Sequence, residues 1–333
     1  MKQEVIQFIG TQRSGSNLLR LMLNQHEEIS APHPPHILQT FMPILPRYGD
    51  LSLRRNRYQL VDDVCNWVEC NPVKWTNVIF DRDEIVAATS SLLEIFVHLY
   101  QLKREADQAS IWCCKSTFNI DYTTFLEQRI KPFYIYLYRD GRDVATSFQK
   151  AYVGPKHVYH IAQKWHQEQM KVYLFLKTLE ATRFISVSYE ALTSEPKYTL
   201  TAICEKLGVD FDQNMLDYFT SQESVETSQS GKMWANVAKP IIANNTQKYL
   251  QLLTAQEIQI FEGIAADSLN NLGYKVHTAI EQVTWTEDDI LAFDQINNQK
   301  MEETIRNSSV IEQSKRQGQA NLLKLILSRD YRI

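Results

Sequence analysis

Apolar positions along the chain alternate between two rhythms. Val5, Ile6, Phe8 and Ile9 form a short continuous run that predicts a buried strand, closed by Gly10. Leu18, Leu19, Met22 and Leu23 then recur at helical spacing, so residues 4–26 read as strand, tight polar turn and helix. Ile29-Ser30-Ala31 predicts a brief second strand. Pro32, Pro34 and Pro35 exclude helix and sheet interior beyond it and predict an extended turn displaying His33 and His36, with a helix able to start near Ile37. Residues 51–107 read as helix-rich, including one amphipathic helix over 84–105 carrying Ile85, Val86, Leu92, Leu93, Phe96, Val97 and Tyr100.

Strand runs return at 110–114, at 133–138 and at 184–187. A long amphipathic helix is predicted over 157–179, a proline-started helix runs from Pro196 to Leu207, and another spans 254–271. Residues 221–248 are polar and irregular, the composition of a functional or disordered loop. Two polar helices follow between 276 and 333, one with Ile290, Leu291, Phe293 and Ile296, the other with Leu322, Leu323, Leu325, Ile326 and Leu327. Three roles are open to them: packing on the domain, covering a substrate site, or mediating a homodimer. With neither repeats nor a low-complexity linker, the chain reads as one elaborated domain.

Composition narrows the picture. At 333 residues, with 44% apolar and 22% charged residues, the chain can bury a substantial core. A net charge of −4 gives no support to nucleic-acid binding, so an anionic ligand must be held by local cations. The five cysteines (65, 70, 113, 114 and 204) are odd in number and lack a C-x-x-C pair, which predicts reduced thiols rather than a disulfide framework or a metal site. No apolar run approaches the roughly 20 residues of a membrane helix, and the first strand starts too early for a signal peptide. A soluble cytoplasmic protein is expected.

Chemistry is concentrated where strands end. Gly10-Thr11-Gln12-Arg13-Ser14-Gly15-Ser16-Asn17 follows the first strand and opens a helix, where turn N–H groups and the helix N-terminus converge on one anion. The spacing G-x-x-x-x-G matches the Walker loop, but the Lys and Ser/Thr that should follow are replaced by Ser16 and Asn17. The cation has moved into the turn as Arg13. Lys115 closes the 110–114 strand on the face where open parallel sheets bind ligands. The 133–138 strand runs into Arg139-Asp140-Gly141-Arg142-Asp143, with Ser147 one to two helical turns on, so Arg139 and Ser147 can hold one dianion from two sides. His33 and His36 are candidates for proton transfer or, equally, simple packing groups of a proline turn.

The Arg13–Ser16 turn resembles the 5′-phosphosulfate loop of the sulfotransferases, and Arg139–Ser147 resembles their R-D-x-R-D-x-x-x-S motif for a 3′-phosphate. The resemblance implies an α/β three-layer sandwich with a mostly parallel central sheet, spanning 1–275. It carries a helical insertion at 41–107 on the acceptor side, and 276–333 is an extension beyond it. It implies 3′-phosphoadenosine 5′-phosphosulfate (PAPS) as donor and PAP as product without a metal, Arg13, Ser14, Gly15, Ser16 and Asn17 on the phosphosulfate, and Lys115 on the sulfuryl oxygens. Tyr189, in the Y-E-x-L stretch after the 184–187 strand, falls near the adenine or packs at the sheet edge. Lys232 and Lys239 are candidate cations of a closing loop, and Trp234 a candidate for stacking on the base. Family members use Glu or His as general base; no acid occupies the 33–36 turn, and spacing puts His33 slightly ahead of His36. Gly141, where many members have proline, is expected to loosen the helix start. The aromatic residues of 51–107 read mostly as core, with some of them open to lining a partly apolar pocket for a small-molecule or lipid-like acceptor. A small-molecule kinase on a P-loop scaffold and a non-catalytic PAPS-binding module are the alternatives.

Overall fold

The computed structural model describes residues 2–242, 245–278 and 284–329. Parts of the expected 221–248 loop and of the 276–333 extension therefore lie outside the described residues. Five strands, β1 (Val5–Ile9), β2 (Ile29–Ser30), β3 (Ile111–Cys114), β4 (Phe133–Tyr138) and β5 (Phe184–Ser188), form one sheet in the order β2-β3-β1-β4-β5. Every pairing is parallel; Ile6 lies opposite Cys113 on one side and Phe133 on the other. Chain order reverses direction across β1, so the crevice beyond the ends of β1 and β4 is a topological switch point, where sheets of this kind bind ligands.

β1 to β4 are buried on both faces, which is why β1, β3 and β4 read as continuous apolar runs; the edge strand β5 is partly exposed. Ile6, Phe8, Ile135 and Leu137 pack under α1 (Ser16–Leu23), while Ile9, Tyr134 and Tyr136 face the opposite layer. Between β2 and β3 come α2 (Ile37–Phe41), α3 (Arg54–Glu69), α4 (Arg82–Ala88) and α5 (Leu92–Ala106). The single helix expected over 84–105 is thus two. Thr89 Oγ1 donates to Ile85 O (2.6 Å), and Ser91 caps α5 by accepting from Glu94 N (3.3 Å). Ser-x-x-Glu is the local signal for that break.

Short α6 (Thr123–Arg129) precedes β4; α7 (Gly141–Lys150) and α8 (Val158–Leu176) lead to β5, and α9 (Tyr189–Ser194) and α10 (Pro196–Leu207) leave it. The 221–248 loop contains α11 (Gln222–Gln229) and leads into α12 (Tyr249–Leu252) and α13 (Ala255–Asn271), which packs on α8. The extension is α14 (Glu287–Arg306) and α15 (Val310–Ser328). It is docked on the same body: Phe293 of α14 stacks on His157 at 4.5 Å, and Ile326 of α15 is buried in the core of the helical insertion.

Most of the insertion's aromatic residues form that core, the main reading of the sequence; Tyr58 is exposed. Trp67, Trp75, Phe80, Phe96 and Tyr100 are buried against one another and against Trp112 of β3, and none of them lines the large cavity described below. Gly141 also differs from expectation. A β-carbon there would lie 2.5 Å from Phe261 and 2.6 Å from Trp165, so a side chain is excluded by close packing. Asp140 caps the helix, accepting from Arg142 N at 2.9 Å; the start of α7 is tight, not loose.

Candidate active site

A cavity of about 1060 Å³ opens at the carboxyl ends of the strands. Strand order divides its wall. The ends of β1, β4 and β5 bring Arg13 to Asn17, Arg139 with Ser147, and Tyr189; the ends of β3 and β2 bring Lys115, His36 and His33. Eight cationic side chains line it (Arg13, Lys115, Arg139, Lys150, Lys164, Lys232, Lys248 and Arg316), and no carboxylate does among the described residues. In a chain of net charge −4, that is a concentrated anion site.

The β1 loop is shaped by close packing. Gly15 has φ +92°, and a β-carbon there would sit 2.4 Å from the Tyr189 ring. Glycine therefore lets the loop lie on that ring and point its N–H groups outward. The first turn of α1 has no side-chain cap and no acidic residue, leaving its N–H groups for a ligand. The buried Ser14 hydroxyl and Asn17 Oδ1 have no hydrogen-bond partner. Ser14 itself does not line the cavity wall; Gly15, Ser16 and Asn17 do.

The two phosphate motifs, 134 residues apart, meet directly: Arg13 Nε donates to Ser147 Oγ at 3.0 Å. Arg139 lies over the Tyr189 ring (4.3 Å to its centroid), with Asp143 at 3.5 Å and its own Nε buried and unpartnered. Both arginines are held by main-chain oxygens of the 221–248 loop, Arg13 by Met233 O (3.0 Å) and Arg139 by Asn245 O (2.6 Å). Asn245 also donates to the Tyr189 hydroxyl. Burial, followed by the neighbouring Arg139, lowers the Arg13 pKa to about 10.

Lys115 is positioned from beneath. Buried Gln7 of β1 donates to Cys114 O (3.1 Å) and Ser116 O (3.0 Å), and Asn119 donates to Gln7 Oε1 (2.9 Å), fixing the end of β3. Burial, then Arg20 and Arg13, pushes the Lys115 ammonium down to about 7.

The histidine turn is braced by the insertion through its carbonyls, because its prolines donate no N–H. Trp67 Nε1 donates to Pro35 O (2.6 Å), Trp75 Nε1 to His33 O (2.7 Å) and Asn71 Nδ2 to His33 O (3.2 Å). His33 is buried, with Nδ1 3.3 Å from the same Asn71 amide nitrogen and Nε2 unpartnered. Its pKa is well below the ordinary value through burial and the nearby Arg20, Lys115, His36 and Arg316. His36, at φ +56°, places Nδ1 2.8 Å from Ser116 Oγ; burial and Lys115 take its pKa down to about 3. Both imidazoles are neutral at pH 7.

The loop residues divide. The Lys239 side chain is exposed and off the cavity wall; its carbonyl accepts from Tyr218 Oη at 2.8 Å. Lys248 and Asn245 line the wall instead. Trp234 does line the cavity, next to Met233 whose carbonyl holds Arg13, and its ring packs edge-on to His33 at 5.4 Å. Sequence reading also missed Arg316 and Gln319, contributed to the wall by α15. No local pattern marks them.

Comparison with known proteins identifies the family. A family model described as the sulfotransferase family matches residues 6–213. Among solved structures, a sulfotransferase domain from the curacin biosynthetic pathway is similar with a TM-score of 0.54 at 19% identity, covering 83% of this chain and 99% of that one. A sulfotransferase domain from the Synechococcus PCC 7002 olefin synthase gives 0.48 at 21% identity, covering 89% and 96%. No curated protein matches the chain at a significant level. The family match spans both phosphate motifs, the histidine turn and Lys115, and on that match the chain belongs to the sulfotransferase family.

Proposed function

We propose that the protein transfers the sulfuryl group of PAPS to a hydroxyl or amine of an acceptor by in-line displacement. The observation that carries this is the direct contact of Arg13 with Ser147, in a cavity lined by eight cations and no carboxylate. A bond forms from the acceptor heteroatom to sulfur, the bond from sulfur to the phosphate oxygen breaks, and the acceptor proton leaves to a base. N–H groups of residues 14–17 and the Arg13 guanidinium face the place where the leaving phosphate gains charge. Lys115 stands on the other side, for the sulfuryl oxygens. Arg139 and Ser147 suit a 3′-phosphate, with Tyr189 beneath them. A kinase would need a carboxylate for magnesium and a loop lysine; the wall offers no carboxylate among the described residues, and Ser16 replaces the lysine.

Hydrogen bonding separates the two histidines. Asn71 donates to His33 O and to Nδ1, which leaves the ring proton on Nε2 and makes His33 an N–H donor toward the cavity. His36 Nδ1 pairs with a hydroxyl that can donate or accept; in the tautomer whose Nδ1–H donates to Ser116 Oγ, Nε2 keeps the lone pair, and this is the form in which we propose His36 as the base. This reverses the order suggested by spacing. Transfer of label from PAPS into an extract of the source cells tests the reading. Labelled product is expected with the wild type. His36→Gln should lose roughly 10²–10⁴ of the rate while still binding PAP; His33→Gln, which keeps an N–H donor, should lose less. Wild-type turnover in His36→Gln would remove it as base, and absence of any labelled product would sink the transferase itself.

A further inference from the structure

The half of the cavity away from the nucleotide motifs has its own cation. Arg316 of α15 lies with its guanidinium carbon 4.7 Å from the Tyr152 ring centroid and 5.5 Å from that of Trp234, and Trp234 in turn packs on His33. The α15 helix is outside the family match, which ends at residue 213.

We propose that the acceptor carries an oxyanion of its own, a carboxylate or a phosphate, bound by Arg316 beside the reacting hydroxyl; the inference rests on the sulfotransferase reading. Three observations lead there. Arg316 Nε is buried without a partner, and the one carboxylate it meets, Glu312, touches Nη2 at a long 3.4 Å. Glu312 is itself buried against Gly231, where a β-carbon would come within 2.6 Å of its oxygen, so it is not placed to swing into the cavity. Of the other cations, Lys164 is ion-paired with Glu168, and Lys115 at the end of β3 is taken up by the transferred sulfuryl group in the proposed reaction. Two aromatic faces hold a planar fork whose remaining donors have no partner among the described residues, the arrangement that suits a bidentate oxyanion.

The platform under Arg316 is firm. Gln319 Nε2 donates to Trp67 O at 3.1 Å, Arg47 Nη2 donates to Leu327 O at 2.8 Å, and Ile326 is fully buried. Trp67 also braces Pro35 of the histidine turn, so α15 and the reacting groups are referenced to the same helix, α3. An oxyanion on Arg316 therefore sets the distance from the acceptor's charged end to its reacting hydroxyl.

Calorimetric titration of the PAP-saturated protein with benzoate, phenyl phosphate and benzyl alcohol tests this. Saturation with PAP closes the donor half, and the two acids distinguish carboxylate from phosphate recognition. At least one oxyanion probe should bind about tenfold or more tightly than benzyl alcohol. That preference should vanish in Arg316→Gln and return in part in Arg316→Lys, with PAP affinity kept in both. Equal binding of the probes to wild type, or an undiminished preference in Arg316→Gln, would overturn the inference while leaving the donor reading intact. Failure of the wild type to bind PAP would overturn the donor reading, and this one with it.

Discussion

At the scale of single residues, the site is a set of uncompensated cations. Arg13, Arg139 and Lys115 are brought together by three different strand ends, and among the described residues Asp143, 3.5 Å from Arg139, is the one carboxylate in ion-pair range of any of them. Crowding and burial leave the Lys115 ammonium titrating near 7 instead of its usual range. A bound anion favours the charged lysine, so binding above pH 7 must take up a proton. PAP affinity is accordingly expected to weaken as pH rises from 7 toward 9, by up to about tenfold per unit. Lys115→Met should bind more weakly at pH 7 and lose that slope. Titrations at three pH values check it; an unchanged slope in the variant would assign the proton elsewhere. Arg13, Lys115, Arg139 and Ser147 were legible in the sequence because each sits in a short motif at the end of a recognisable strand. Lys239, off the cavity wall, could not be told from its inward-facing neighbours because residues 221–248 have no periodicity to fix which side chain faces inward.

At the scale of elements, the helical insertion works as a brace. Its indole and amide donors serve a turn whose prolines cannot bond through nitrogen, and that is the use of Trp67, Asn71 and Trp75. Their aromatic character alone reads as core or pocket; only the fold shows which carbonyls they reach. Trp75→Phe keeps most of the buried ring but leaves His33 O with a single donor. The expected outcome is a loss of about 1–3 kcal/mol of stability, with slower transfer and an unchanged PAP affinity. Denaturant unfolding with nucleotide titration checks this; a variant losing PAP affinity in proportion to activity would contradict the division of the cavity. The strands and α1 were legible from their apolar runs. The break between α4 and α5 was hidden, since the apolar positions on its two sides happen to continue one helical rhythm.

At the scale of the whole molecule, a parallel sheet in the order β2-β3-β1-β4-β5 sorts the side chains: the proposed donor-binding groups lie over β1, β4 and β5, the proposed proton-handling groups over β2 and β3. The C-terminal extension, readable in sequence only as two polar helices, closes the second half by docking α15 on α3. Its contribution was invisible because Arg316 is some 280 residues from His36 and only tertiary packing joins them. The central claim is that two separated motifs make one site for a 3′-phosphorylated adenosine nucleotide. Thermal unfolding with equal concentrations of PAP and of ADP with magnesium tests it most directly. The account predicts that PAP raises the melting temperature well beyond ADP, without magnesium, and that Arg139→Ala removes most of that difference. Equal stabilisation by both nucleotides would contradict it.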